Sequence, residues 1–205
     1  MPFLIRFSAV LLLIAFTVLT GWAWFFPGDQ ARPPRDAGEY VRHYLHFGVF
    51  RGLSAGRWSV RPVTVDARAL QPGDILLGRR TESVHGAWSH ATIVLPEGRI
   101  LAHHSLKGIW IATPAEFAGY DEVLVLRPKA TPEQRAVVAA WAARLDGAEF
   151  ELIAHPNDRR RFTCSKAARD AWLQVGIDPT DGRFWPTPDA LVAGGAPVVE
   201  RWGKP

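Results

Sequence analysis

The run Ser89-His90-Ala91-Thr92-Ile93-Val94-Leu95 decides how this chain is expected to fold. Its apolar side chains would cover both faces of an extended segment, which is typical of a strand in the interior of a sheet. The turn signal Pro96-Glu97-Gly98-Arg99 follows, and the next run, Ile100 to His104, predicts a second strand. Both strands would carry histidine, and a turn between them would bring the histidines to one end of the pair.

Other short apolar runs with turn signals between them surround this pair. Gly73-Asp74 precedes Ile75 to Leu77, whereas Ile109 to Ile111 and Val123 to Leu126 come later. These runs predict a mainly antiparallel sheet with Ala91 to Leu95 at its centre.

Two helices are expected after the strands. Thr131 can cap a helix whose first position is Pro132 and which continues through Ala143. A second helix should begin at Thr163 or Cys164 and stop near Gly176, and glycine, proline and tryptophan mark the tail from residue 182 on. With 205 residues, 48% of them hydrophobic, the chain can bury one ordinary core. The predicted fold class is α+β, an antiparallel sheet packed against helices.

The N-terminal part, Met1 to Pro27, differs from the rest of the chain. Arg6 is its only charge, and the apolar run Phe7 to Phe26 matches the length of about 20 residues that spans a bilayer. We expect a membrane anchor helix here, with a cleaved signal peptide ending near Gly21-Trp22-Ala23 as the alternative. Arg6 before the span predicts a cytoplasmic N-terminus and an extracytoplasmic domain.

Three segments follow from this pattern: a transmembrane anchor over 1–27, a stalk with an amphipathic helix over 28–60, and a catalytic domain over 61–205. The amphipathic helix is predicted over Asp36 to Phe50, where apolar residues alternate with charges. The net charge of +4 is spread along the chain without a dense basic cluster, so nucleic acid is not an expected partner. The sequence does not indicate an oligomeric state.

The chain has a single cysteine, Cys164, which would lie at the start of the second helix. A lone cysteine in an oxidising compartment is a buried filler, an intermolecular bridge or a reactive thiol. A helix start favours the third reading, because its unpaired amides and dipole stabilise a thiolate. The basic run Arg159 to Arg161 could add positive potential or form a solvated loop.

A thiol nucleophile needs a base, and the predicted histidine strands supply one. His90 can serve as the base, while a second imidazole, His103 or His104, can orient it as a carboxylate does in serine enzymes. A zinc site built from His85 and these three histidines is the alternative, although their spacing matches no familiar zinc motif. We expect neither a metal nor a cofactor.

The order of these features resembles a known family. Leu70 to Leu77, Ser89 to Val94, the stretch His103 to Ile109 and the triplet Thr163-Cys164-Ser165 look like the circularly permuted papain-like amidases of the NlpC superfamily, particularly the YiiX type. The resemblance covers about residues 61 to 195 and implies a barrel-like antiparallel sheet with the cysteine on a packed helix. It also implies that Cys164 is the nucleophile and His90 the general base. In related lecithin retinol acyltransferase-type proteins the third residue is a second histidine, which falls on His103 here, with His104 in reserve.

The function expected from these residues is hydrolysis by acyl transfer to Cys164, with an amide bond of a cell-wall peptide or another envelope substrate as the target. A lipid acyl hydrolase or acyltransferase at the membrane surface is one alternative. The other is a catalytically silent module that binds peptide or lipid. The expected partners are therefore a peptide or lipid acyl substrate and, through the N-terminal helix, a membrane.

Overall fold

The computed structural model describes residues 15–18, 38, 41–42, 45, 59, 61–81, 83 and 86–203. Three helices and eight strands of these residues form the body of the fold. In chain order they are β1 (Ile75–Arg79), β2 (His90–Ile93), β3 (Ile100–His104), β4 (Gly108–Ala112), β5 (Glu122–Leu126), α1 (Pro132–Ala143), β6 (Glu149–Phe150), β7 (Arg161–Phe162), α2 (Cys164–Leu173), α3 (Pro188–Ala193) and β8 (Val198–Gly203).

The main sheet is antiparallel and has four strands in the order β2-β1-β5-β8. The prediction of an antiparallel sheet is confirmed, but the expectation that Ala91 to Leu95 lies at its centre is wrong, because β2 is an outer strand. This strand is nevertheless buried on both faces, since α2 packs against it and β3 lies beside it. An apolar composition indicates that a strand is buried, and this strand is buried by α2 and β3, which lie outside the main sheet.

The strand β3 pairs with β4 in a separate hairpin, from Ile100 opposite Ala112 to His104 opposite Gly108. It joins β2 through one bridge between Val94 and Ile100 and through the Thr92 hydroxyl, which donates to the carbonyl of Leu101. The predicted adjacency of the two histidine strands is therefore present without a continuous ladder. A short parallel pair, β6 with β7, is the exception to the antiparallel pattern.

Both faces of the main sheet are buried. On one face, Leu77, Ala91 and Leu124 pack against α1 and α2, and the buried Trp172 donates its indole N–H to the carbonyl of Gly73 over 3.1 Å. On the other face, Leu76 and its neighbours pack under the segment that carries Phe117 and Tyr120. The side chains of successive residues point to opposite faces of an extended chain, so β2 contributes Ala91 and Ile93 to the first face, and Val94 directly after it belongs to the second.

The predicted helices are confirmed, with one difference in length. Thr131 caps α1 through a reciprocal pair of hydrogen bonds with Gln134, and Thr163 caps α2. The second helix ends at Leu173 rather than at the expected stop near Gly176. The tail holds two elements that its composition did not predict: α3, whose cap is Thr187, and β8.

The N-terminal predictions fall mostly outside the described residues. Of the predicted span Phe7 to Phe26 only residues 15–18 are described, and of the predicted amphipathic helix only residues 38, 41–42 and 45. Within the part of the chain that the structure describes, no helix has the length and apolar character needed to cross a bilayer.

Candidate active site

Cys164 is the first residue of α2. The Thr163 hydroxyl accepts the backbone N–H of Lys166 over 3.1 Å and so fixes the first turn of the helix. The cysteine is buried, with 1% of its surface exposed. Its sulfur therefore lies at the positive end of a helix dipole and away from bulk water.

The outer position of β2 explains a second contact of this sulfur. The Val94 amide donates to the carbonyl of Asp74 next to β1, and amides alternate in direction along a strand, so the Ala91 amide points away from β1. That amide and the amide and hydroxyl of Ser165 act on Cys164 as hydrogen-bond partners that lower its pKa. The cysteine thus lies where the start of α2 meets the free edge of β2.

Burial outweighs these hydrogen bonds, and the pKa of the Cys164 thiol is raised above its ordinary value. A thiol in a dry environment keeps its proton, because removing the proton would leave an unsolvated charge. At neutral pH the sulfur is therefore protonated in the resting protein. Nucleophilic attack needs a base that takes the proton during the reaction.

His90, the first residue of β2, lies among aromatic rings. The ring of Tyr120 stacks on it with 6.0 Å between centroids and 12° between planes, and the centroid of Phe117 lies 5.6 Å away. Directly before it, Ser89 donates both its amide and its hydroxyl to the carbonyl of Gly78, over 2.9 and 3.0 Å. The backbone and the imidazole of His90 are both held in place.

His103 is the proposed orienter whose ring contacts His90. Its ring meets His90 edge to face, with centroids 5.4 Å apart, and on another side it contacts Phe150. Both of its ring nitrogens are buried and have no hydrogen-bond partner among the described residues. Burial lowers its pKa to about 3, so it is neutral at physiological pH.

His104 occupies a different position. It is exposed at the end of β3, where its Nδ1 accepts the backbone N–H of Leu106 over 3.1 Å in the following turn. Of the two candidates for the third site residue, the structure brings His103 to His90 and leaves His104 at the exposed end of β3.

A metal site finds no support in the described residues, which hold no group of three or more potential ligands of His, Cys, Asp or Glu type. His85, the fourth histidine of the zinc alternative, lies outside them.

In the basic run before the cysteine, Arg161 forms ion pairs with Glu151 over 2.9 Å and with Asp158 over 2.7 Å. Its charge anchors the loop in which it lies.

Three residues near the site were not predicted from the sequence: Tyr120, Arg80 and Asp189. The guanidinium of Arg80 lies 4.0 Å from the centroid of the Tyr120 ring, and Arg80 is itself buried. No spacing rule links residues 80 and 120, which the pairing of β1 with β5 brings together. For Asp189, the sequence Thr187-Pro188-Asp189 is a helix-start signal that could have drawn attention to it.

Asp189 tethers the chain just before the histidine strand. Its carboxylate, buried at 6% exposure, accepts the backbone N–H of Trp88 over 3.2 Å, and the Ala87 amide also acts on it. Burial raises its pKa to about 7, although both amides and the nearby Arg79 work in the opposite direction. The helix α3 thereby anchors the backbone just before His90.

No protein-family model and no curated protein matches this chain.

Proposed function

We propose that the protein is a cysteine hydrolase in which Cys164 is the nucleophile and His90 the general base. The observation that carries the proposal is the meeting of α2 with the edge of β2: a buried thiol at a capped helix start, in hydrogen-bond contact with the residue that follows a well-held histidine. Nucleophile, base and backbone donors are the parts that acyl transfer requires.

In the proposed reaction, His90 takes the thiol proton while the sulfur attacks an amide or ester carbonyl carbon. The C–S bond forms, the carbonyl electron pair moves to oxygen, and backbone amides near the start of α2 stabilise that charge. Collapse of this intermediate expels the amine or alcohol, which receives the proton from His90. Water then attacks the thioester with His90 as base, which releases the acid and restores the thiol.

His103 completes the set as the proposed orienter of His90. A neutral imidazole with two unpartnered nitrogens can exchange a hydrogen bond with a neighbouring ring after a small rotation. The pKa of about 3 supports this role over that of a second base, because such a ring does not take up a proton at working pH.

The fold proposed for this activity is the permuted papain-like arrangement of the NlpC superfamily, of the YiiX type. It is supported by the chain order, in which the histidine strand precedes the cysteine helix, and by the packing of α2 against β2. A tether through the N-terminal apolar run would hold this domain at the outer face of a membrane. Amide bonds of cell-wall peptides are the proposed targets there, and lipid acyl esters are the alternative.

One observation favours a second candidate, a catalytically silent binding module. The Cys164 thiol is almost wholly buried and its pKa is raised, whereas many catalytic cysteines have a depressed pKa and are accessible. A module of this kind would keep the fold and bind peptide or lipid without cleaving it.

An acyl-transfer assay separates the two candidates. The full-length protein is mixed with p-nitrophenyl acetate, and the release of p-nitrophenolate and the intact protein mass are followed together. We expect a burst of p-nitrophenolate and a protein that is heavier by one acetyl group. Cys164→Ala should remove both signals and His104→Ala should retain them. Acetylation that persists in Cys164→Ala would falsify the proposed nucleophile, and a wild-type protein without a burst would favour the binding module.

Substrate class is tested with the same pair of proteins. Purified peptidoglycan and phospholipid vesicles are incubated with wild type and with Cys164→Ala, and new amino groups or free fatty acids are measured. Cysteine-dependent release of amines supports the amidase, whereas cysteine-dependent release of fatty acid supports the lipid alternative.

A further inference from the structure

Tyr120 is a buried group for which the proposed mechanism has no use. It follows a short 3-10 helix over Pro114–Phe117, and its side chain forms part of the core under the main sheet. An ordinary core position would favour an apolar ring, since a buried hydroxyl gains little unless it is paired. The surroundings of this ring indicate a more specific role.

The ring lies flat above a glycine of the neighbouring strand. A Cβ atom placed on Gly78 would fall 2.5 to 2.7 Å from three atoms of the Tyr120 ring, a distance at which atoms cannot coexist. Gly78 is also the residue directly opposite His90 in the pairing of β1 with β2. The missing side chain at this position leaves a slot that the Tyr120 ring occupies.

The slot places Tyr120 parallel to the imidazole of His90, with 12° between the ring planes. Phe117 packs against both rings, with centroids 5.0 Å from Tyr120 and 5.6 Å from His90. The guanidinium of Arg80 lies over the Tyr120 ring at 4.0 Å, an attractive cation–π contact that holds the ring in place. Tyr120 is thus confined by a backbone, a cation and an aromatic side chain.

The Tyr120 hydroxyl is also coupled electrostatically to the proposed nucleophile. Burial raises the pKa of the hydroxyl most, Arg80 lowers it, and a charge on Cys164, once the thiol is ionised, raises it further. Tyr120 therefore stacks on the proposed base while its hydroxyl stays within electrostatic reach of the sulfur.

We propose that Tyr120, seated on Gly78 and held by Arg80, is a positioning residue that fixes the plane of the His90 imidazole relative to Cys164. This inference rests on the proposed function, because it assigns Tyr120 a task in that reaction. The ring acts through His90, and the stacking surface rather than the hydroxyl performs the task. Removal of the ring should therefore affect the chemical step much more than the binding of substrate.

The test measures kcat and KM for hydrolysis of p-nitrophenyl acetate by full-length variants. For Tyr120→Leu we expect kcat to fall by about 10²-fold, the loss that a misplacement of about 1 Å can cause, while KM changes by less than about threefold. Tyr120→Phe keeps the stacking surface and should retain most of kcat. A control, Trp202→Leu, removes a ring from the same core cluster on β8, at the other edge of the sheet from His90, and should leave kcat near wild type.

Gly78→Ala provides an independent test in which residue 120 is still tyrosine. The added methyl group should displace the ring and lower kcat by about tenfold or more, whereas in a Tyr120→Leu background it should cause little further loss. Urea unfolding of each variant identifies losses that come from unfolding alone, and Tyr120→Phe and the single variant Gly78→Ala keep the test valid if Tyr120→Leu folds poorly.

The outcomes separate this inference from the proposed function. Hydrolysis that disappears in Cys164→Ala but is unchanged in a folded Tyr120→Leu protein overturns the positioning role and leaves the hydrolase intact. Equal losses in Tyr120→Phe and Tyr120→Leu also overturn it, because the hydroxyl would then be the active part. Hydrolysis that is independent of Cys164 refutes the proposed function itself.

Discussion

His90 on β2 and His103 on β3 are neighbours with the same side chain, yet their surroundings differ. Around His90, hydrogen bonds from Ser89 fix the backbone and the ring of Tyr120 is stacked on the imidazole. Around His103, apolar contacts enclose two ring nitrogens that have no partner among the described residues. The difference teaches that packing sets the environment of a histidine: burial keeps His103 neutral, whereas His90 has an anchored backbone and a stacked ring.

The largest expected effect is that of replacing His90. His90→Ala removes the proposed base and should lower the rate of acyl transfer by about 10² to 10⁴-fold, the usual contribution of general base catalysis. His104→Ala is the matched control, since His104 is exposed at the end of β3 and should have no role. The measurement is the burst of p-nitrophenolate from p-nitrophenyl acetate. A rate for His90→Ala equal to that of the control would remove His90 from the site.

A second effect concerns the stability of the segment before His90, where Asp189 accepts the Trp88 amide. Burial raises the pKa of its carboxyl from 3.8 to about 7, so between these values the folded protein binds more protons than the unfolded chain. Its contribution to the free energy of unfolding therefore falls as pH rises from 4 to 7, at most by about 1.4 kcal/mol per pH unit. Asp189→Asn should lose this slope, which urea unfolding at several pH values measures. A slope that is the same in wild type and variant would contradict the assignment.

His103 should show the opposite sign. Its pKa is lowered from 6.5 to about 3, so between these values the unfolded chain binds more protons and the folded protein loses stability as pH falls. His103→Leu removes this loss together with a buried unpaired ring, and should raise the free energy of unfolding at pH 5 by about 1 to 3 kcal/mol. The rate of acyl transfer should fall in the same variant. His104→Leu controls for loss of a histidine, and a His103→Leu protein that is less stable than wild type would count against the absence of a partner.

The smallest effect compares two helix starts. Thr163→Ala and Thr131→Ala each remove a side-chain cap and should each lower the free energy of unfolding by about 1 kcal/mol. Only Thr163→Ala should also lower the rate of acyl transfer, because the first turn of α2 carries Cys164. Equal rates in the two variants would show that the geometry of this turn does not limit the reaction.

Local patterns in the sequence predicted most of the elements around the site. The alternation of apolar runs with turns predicted β1 to β5, and the capping signals at Thr131 and Thr163 predicted the starts of α1 and α2. The tail was harder to predict, since α3 is only six residues long and β8 is half-exposed, so neither shows a clear periodicity. The central position assigned to β2 was wrong because apolar composition does not distinguish sheet neighbours from helix neighbours.

Sequence alone determined that a single thiol stands at a helix start, after a strand that begins with a histidine, because caps and strand patterns are local properties of the chain. Only the tertiary structure decided which side chains surround that pair. Tyr120 meets Gly78 and Arg80, which lie about forty positions earlier in the chain, because β1 pairs with β5, and no local rule predicts such a contact. Tertiary packing likewise chose His103 over His104, because adjacent residues of a strand face opposite sides and only one of them can turn towards His90.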